Sequence, residues 1–101
     1  MAKVEKIAVI IKDFEQQFEG LRTSLGLLLE AAWVYMYVLD HEIDSKDEDY
    51  MENLEFIDEV EGERFSNNQV NIEKYGFQPI TIEEMLVKIK EVDIIIPFGG
   101  K

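Results

Sequence analysis

The chain has 101 residues and a formal net charge of −12, from 22 acidic and 10 basic residues, and it contains no cysteine. This length suits one domain with one core, so we expect a single domain over residues 1–101. The acidity argues against binding to nucleic acid, whose phosphates require Lys and Arg, and against binding to anionic membrane surfaces. Without a thiol the chain has no disulfide, thiolate metal site or cysteine nucleophile.

No segment has the pattern of a secretory signal. The longest apolar run beyond the first predicted strand, residues 31–39, spans nine residues, well short of the ~20 of a membrane helix. We therefore expect a cytoplasmic protein.

The first two elements follow from the apolar pattern. Residues 7–11 are β-branched and nearly continuous, which is typical of a strand buried on both faces. From Glu15 onward the apolar residues recur at spacings of three and four, which predicts an amphipathic helix. We interpret Gly20 and Gly26 within it as positions of close packing.

Residues 33–39 predict a second strand, rich in aromatic and β-branched side chains, that ends at Asp40 and His41. The acidic segment that follows keeps helical spacing, which predicts a second helix over residues 46–61. Residues 40–64 contain 12 acidic and two basic residues, a net charge of −10. Most of the acidity is therefore expected on one helix and its entry loop.

The last third of the chain predicts two more strands and a helix. Residues 69–72 are interpreted as a weak third strand and residues 75–79 as a turn. Thr81 and Glu84 have the spacing of a capping box, and the helix that they open has an apolar face made of Met85, Leu86, Ile89 and Val92. Residues 94–96 predict a buried final strand, which Pro97 ends.

The predicted order is β-α-β-α-β-α-β. Alternating strands and helices indicate an α/β domain of three layers, with a mostly parallel sheet and flavodoxin-like layering. In such folds ligands bind at the carboxyl ends of the strands. That rule selects the candidate pocket residues Asp13, Asp40, His41, Tyr75 and Gly76.

The candidate chemistry of this edge is limited. His41 is the only side chain that ordinarily titrates near neutral pH, and it is either a general base beside Asp40 or Glu42 or a solvated loop residue. The acidic residues do not fit the ligand spacing of a calcium loop, and no phosphate-binding glycine motif occurs. We therefore assign no catalytic residue, metal or cofactor.

Four segments resemble the DsrE-like sulfur-relay family (DsrE/DsrF-like small α/β proteins). They read KIAVII, RTSLGLLLEAA, WVYMYVLDHEI and EEMLVKIKEVDIIIPF. The resemblance implies a small α/β fold and cytoplasmic homo- or hetero-oligomers, commonly trimers or hexamers. It also implies a persulfide-carrying cysteine in the loop after the third strand, here residues 73–79, where this chain has no cysteine.

Three functions remain open. The first is a non-catalytic DsrE-like subunit that forms homo-oligomers, has a structural or interaction role, and presents its acidic face to a basic protein partner. The second is a small-molecule-binding protein that uses the pocket at the carboxyl ends of the strands. The third is an enzyme built on Asp13, Asp40 and His41. Self-association is expected because the core is small and the second strand is unusually aromatic.

Overall fold

The computed structural model describes residues 4–99, in which strands and helices alternate along the chain. The strands are β1 (Lys6–Ile11), β2 (Trp33–Val38), β3 (Glu63–Ser66), β4 (Gln78–Pro79) and β5 (Ile94–Phe98). The helices are α1 (Gln17–Leu29), α2 (Glu48–Glu59), α3 (Gln69–Tyr75) and α4 (Ile82–Lys88). Short 3₁₀ turns, Phe14–Gln16 and Ile89–Glu91, precede α1 and follow α4.

The described residues form one five-stranded sheet in the order β4-β3-β2-β1-β5, with every pair of neighbours parallel. The predicted three-layer α/β fold is confirmed. One face of β1, with Ile7, Val9 and Ile11, packs against α1 and α2. The other face, which includes Ala8, packs mainly against α4 through Met85. Right-handed crossovers explain why α4 lies on the opposite face from the other helices. The connections from β1 to β4 all run in one direction across the sheet, whereas the connection from β4 to β5 runs in the other direction.

The prediction of a third strand at residues 69–72 is wrong, because these residues begin α3. The Asn68 side chain accepts a hydrogen bond from the Asn71 N–H and caps the helix start. Gly76 ends the helix in the left-handed conformation, with φ of 71°. The third strand is β3, in a part of the chain for which the sequence analysis predicts no strand. Its hydrophobic pattern is weak because the buried residue beside Phe65 is a polar one, Ser66.

The sheet has one strand more than predicted within residues 4–99, because Gln78 and Pro79 pair with β3 inside the predicted turn. The capping box of α4 is confirmed, since the Thr81 hydroxyl accepts from the Glu84 N–H and the Glu84 carboxylate accepts from the Thr81 N–H. The prediction that Leu86 belongs to the buried face is wrong. Its side chain is 48% exposed.

The prediction of a buried final strand is also wrong. β5 is an edge strand, and Ile94 and Ile95 are 41% and 47% exposed. Pro97 lies within this strand, paired with Ile10, as an edge position allows for a residue without an N–H. β5 therefore has the apolar composition of a central strand but lies at the edge of the sheet.

The two glycines of α1 have different roles. A Cβ atom on Gly20 would clash with Cγ1 of the buried Ile11, so α1 approaches β1 closely at this point. A Cβ atom on Gly26 would meet nothing within 4 Å. The interpretation as close packing is confirmed for Gly20 and wrong for Gly26.

We predict opposite effects of alanine at these two positions. Gly26→Ala should raise the free energy of unfolding by about 1 kcal/mol, because alanine is the better helix former and the site is open. Gly20→Ala should lower it by about 1–3 kcal/mol, because overpacking against Ile11 outweighs the same gain in propensity. Urea titration of the two variants checks both, and equal effects would contradict the assigned packing.

Candidate functional site

The carboxyl edge of the sheet brings together three of the five predicted pocket residues. Asp40 and His41 follow β2, and Asp13 follows β1. Asp40 has a φ of 65°, which an aspartate tolerates better than most residues. Asp40 and Asn67 form two hydrogen bonds. The Asp40 N–H donates to Asn67 Oδ1 at 2.8 Å, and Asn67 Nδ2 donates to Asp40 Oδ1 at 3.0 Å. The Lys12 ammonium lies 3.8 Å from the Asp40 carboxylate.

His41 packs inward between loops. Its Nδ1 lies 2.9 Å from the Leu39 carbonyl oxygen, and its ring meets Phe14 edge-on at a centroid distance of 6.1 Å. Burial lowers the pKa of His41 below 6.5, against the opposing effects of the Leu39 and Lys12 carbonyls and of the charges of Asp40 and Asp13. The neutral imidazole is therefore the form that the fold favours.

The crevice at the topological switch point is closely packed. The strand order reverses between β1 and β5, which is where open α/β sheets commonly bind ligands. Here the Lys12 N–H donates to the Phe98 carbonyl at 2.9 Å. Gly99, with φ of 85°, lies so close to Asp13 that a Cβ atom would be 2.6 Å from the Asp13 Cβ. Asp13 therefore packs against the chain after β5.

Tyr75 and Gly76 lie at the opposite, amino edge of the sheet, because they lead into the start of β4. Their neighbour is Arg64, near the start of β3, which donates to the Tyr75 carbonyl. Arg64 also forms a two-point ion pair with Asp58, with distances of 2.9 and 2.7 Å, and covers the Phe77 ring at 4.7 Å. The structure does not bring these two residues to the other three.

A buried polar cluster fixes the loops of the carboxyl edge. Asn71, fully buried in α3, accepts from the Ile43 N–H at 3.0 Å and donates to the His41 carbonyl at 2.9 Å and to Ser66 Oγ at 3.1 Å. Ser66 Oγ in turn donates to the Val38 carbonyl at 2.6 Å. The loop after β2 is thereby tied to β3 and α3.

A cleft of about 290 Å³ lies at this edge, between the starts of α1 and α2. We call it the helix-start cleft, and its lining consists of Phe14, Glu15, Gln17, Phe18, Asp44, Asp47 and Tyr50. None of the five predicted pocket residues lines this cleft. It is displaced from Asp13, Asp40 and His41 toward the two helices, and His41 reaches it only through its contact with Phe14.

Hydrogen bonds of the Gln17 and Asp47 side chains fix the backbone around the cleft. The Gln17 side chain, 5% exposed, donates to the Phe14 carbonyl and accepts from the Asp44 N–H, each at 2.9 Å. Asp47 caps α2 by accepting from the Tyr50 N–H at 3.2 Å. Tyr50 is 1% exposed, and its hydroxyl has no hydrogen-bond partner among the described residues. Burial, together with the charge of Asp44, raises the pKa of Tyr50 despite the opposing charge of Arg64.

The sequence does not single out the aromatic members of this cleft. Phe18 and Tyr50 fit the apolar stripes of their helices, and the structure places Tyr50 in the core with Phe18 packed against it. One polar residue of the cleft could have been found from the sequence, because Asp47 has the residue type and position of a helix-capping residue before α2. The cleft itself could not, because it forms where the starts of α1 and α2 meet in the folded chain.

Among residues 4–99 no three His, Cys, Asp or Glu side chains are grouped to hold a metal ion, and no helix is long and apolar enough to cross a membrane. Comparison of the chain with protein-family models, with curated proteins and with solved structures finds no match in any of the three.

The single histidine gives a direct test of the packing at this edge. We predict an imidazole titration midpoint below 6.5 in the folded protein, measured by NMR, because burial disfavours the charged ring. Since the unfolded chain then binds the proton more readily, stability should rise with pH from the folded pKa up to about 6.5 and change no further through this group.

Phe14→Ala should raise this midpoint by exposing the ring, whereas Phe56→Ala, an exposed phenylalanine on α2, should leave it unchanged. A wild-type midpoint at or above 6.5 would contradict the account.

Proposed function

We propose that the chain is a non-catalytic, DsrE-like interaction subunit that associates with copies of itself. One observation carries the proposal. The edge strand β5 consists entirely of apolar residues, and three of them, Ile94, Ile95 and Pro97, are exposed, whereas Ile96 and Phe98 pack against the core.

The register of β5 shows how incomplete its cover is. Ile94 pairs with Ile7 and Ile95 pairs with Ala8, and both partners in β1 are at most 4% exposed. Ile94 and Ile95 themselves are 41% and 47% exposed. Exposed apolar edge strands are sites of association, so the β1–β5 half of the sheet lacks a cover that another chain can supply.

Helix α4 extends this apolar surface. The Lys88 ammonium lies 5.2 Å from the ring centroid of Phe65 in β3, so this flank of α4 faces β3. Leu86 is two positions away, about 200° around the helix, and therefore lies on the flank toward β1 and β5. We call the surface formed by Leu86, Ile94, Ile95 and Pro97 the open β5 edge.

A second copy of the chain fits this edge for two reasons. An edge strand is complementary to itself around a two-fold axis, which makes the contact isologous. The acidic α2 packs over the other half of the sheet, beside α1 and near β2 and β3, so two chains of charge −12 can meet at β5 with their acidic helices far apart. Pro97 offers no N–H to a neighbouring strand, so side-chain packing must supply most of the contact.

The non-catalytic part of the proposal rests on the missing thiol. A sulfur carrier needs a thiolate, and the chain has no cysteine. In the observed fold the connection after the third strand is residues 67–68, both asparagine, rather than residues 73–79. The oligomer is thus proposed as a structural or interaction partner that offers its acidic α2 surface to a basic protein. Of the sizes that the resemblance implies, trimers and hexamers, only the hexamer accommodates the two-fold contact proposed at β5.

A second candidate function is supported by the helix-start cleft. A concave site of about 290 Å³ at the carboxyl edge, lined by aromatic and acidic side chains, suits a small ligand or a single side chain. Binding there and self-association at β5 use different parts of the surface, so one protein can do both.

We predict that sedimentation of the purified wild type at micromolar concentration gives a mass of two or more 11.8 kDa chains. Ile95→Lys should shift the distribution to the monomer, because a buried ammonium at the contact is costly. Phe56→Lys, which makes the same change of charge at an exposed apolar position on α2, should leave it unchanged. A wild type that sediments as a monomer would refute the self-association.

A further inference from the structure

We propose that two copies of the chain join by antiparallel pairing of their β5 strands, with Ile95 of one copy opposite Ile95 of the other. The two five-stranded sheets then form one continuous sheet. The inference rests on the proposed self-association, and it adds the register of the contact and the point at which assembly through β5 ends.

The backbone of β5 directs alternate residues toward β1. The Phe98 carbonyl accepts from the Lys12 N–H at 2.9 Å, so the backbone polar groups of Phe98 face β1. In an extended strand every second residue directs its N–H and carbonyl to the same side. The even-numbered residues of β5 therefore face β1, and the backbone groups of Ile95 and Pro97 face away from the sheet.

Ile95 is the position at which β5 can bind a second strand. Pro97 has no N–H, and the Asp93 N–H is directed inward, where it donates to the Lys6 carbonyl at 2.8 Å. Ile95 is thus the residue within β5 that presents both an N–H and a carbonyl to the open side. Opposite residues of an antiparallel pair can exchange both hydrogen bonds. Two Ile95 residues that face each other across a two-fold axis make both.

Neighbouring registers leave the Ile95 carbonyl without a donor. A two-fold axis at Ile96 places this carbonyl opposite Pro97 of the second copy, which has no proton to donate. An axis at Ile94 places it opposite Asp93, whose N–H is already bonded within its own chain. A carbonyl buried in the contact without a partner is costly, so the structure favours the register centred on Ile95.

The end of β5 opposes a register shifted further toward the carboxyl edge. An axis at Pro97 places Ile95 opposite Gly99 of the second copy. Gly99 has a φ of 85° and lies against Asp13, so the chain has left the extended conformation at this point. A residue in that conformation does not continue the pairing of β5.

The side chains of β5 suit the register centred on Ile95. Residues 94–96 are all isoleucine, so this stretch is the same when read in either direction. Ile95 is 47% exposed and lies opposite its own copy on the face of α4. Ile94 is 41% exposed and lies opposite Ile96 on the face of α1. Opposite pairs of β-branched side chains stabilise antiparallel strands, and here they also cover exposed apolar surface.

The charge of this segment permits contact between two copies of an acidic chain. Residues 86–99 contain two lysines, one glutamate and one aspartate, and so have no net charge, whereas the whole chain has a net charge of −12. The joined sheet ends on both sides in β4, which consists of Gln78 and Pro79. Very short edge strands that contain proline oppose further pairing. Assembly by strand pairing therefore stops at two chains.

Disulfide crosslinking of single-cysteine variants tests the register, because the chain has no cysteine of its own. The Cα atoms of a hydrogen-bonded antiparallel pair lie about 5.5 Å apart, which a disulfide can bridge. With oxidised glutathione at micromolar protein concentration, we expect Ile95→Cys to form a crosslinked dimer about tenfold faster than Phe56→Cys, because pairing raises the effective concentration of the second thiol. Phe56 is an exposed control position on α2.

Two further variants locate the two-fold axis. Ile94→Cys and Ile96→Cys should crosslink rapidly when they are mixed and slowly when each is oxidised alone, because each position lies opposite the other. Rapid crosslinking of Ile96→Cys to itself would overturn the register. Rapid crosslinking of Leu86→Cys to itself, without crosslinking of Ile95→Cys, would show that α4 rather than the strand edge forms the contact.

Sedimentation of the wild type separates the failure of this inference from the failure of the proposed function. A wild type that sediments as an oligomer, together with Ile95→Cys that crosslinks no faster than Phe56→Cys, would overturn the strand pairing and leave the self-association. A wild type that sediments as a monomer would overturn both.

Discussion

The arrangement of the carboxyl edge depends on one buried side chain, Asn71. Its amide oxygen accepts from the Ile43 N–H, and its amide nitrogen donates to the His41 carbonyl and to Ser66 Oγ. Removing this amide would take the described partner from two polar groups, the Ile43 N–H and the His41 carbonyl, each at a cost of about 1–3 kcal/mol. The loop between β2 and α2 is consequently fixed by α3, an element 28 residues further along the chain.

The candidate site follows from that constraint. With Ile43 held in place, Asp44 lies where its N–H reaches Gln17 on α1, and α2 begins three residues later at its capping Asp47. The helix-start cleft is the space that this geometry leaves between the two helices. His41 is drawn inward by the same loop, which is why burial rather than its acidic neighbours decides the direction of its pKa.

The sequence predicted the elements that depend on apolar spacing or on a capping motif within the element itself. It missed those that depend on contacts with distant parts of the chain. The apolar runs of β1 and β2, the stripe of α2 and the capping box at Thr81 are all present as expected. β3 was missed because the Ser66 hydroxyl is satisfied by the Val38 carbonyl, a bond that no apolar pattern reports. The exposure of β5 could not be predicted, because its composition is that of a buried strand and its position at the sheet edge is a tertiary feature. Of the site, Asp13, Asp40 and His41 were placed at the correct edge, whereas the cleft beside them arises from the contact between α1 and α2.

The most direct measurement of the central constraint is amide hydrogen exchange at Ile43. This N–H belongs to no helix or strand, and its only acceptor among the described residues is the Asn71 side chain. If Asn71 fixes the carboxyl edge, the Ile43 amide exchanges as slowly as the amides in the centre of β2, because it opens only when α3 and β3 separate. Exchange at the rate of a free loop would show that the loop is not held, and the cleft that depends on it would lose its physical basis.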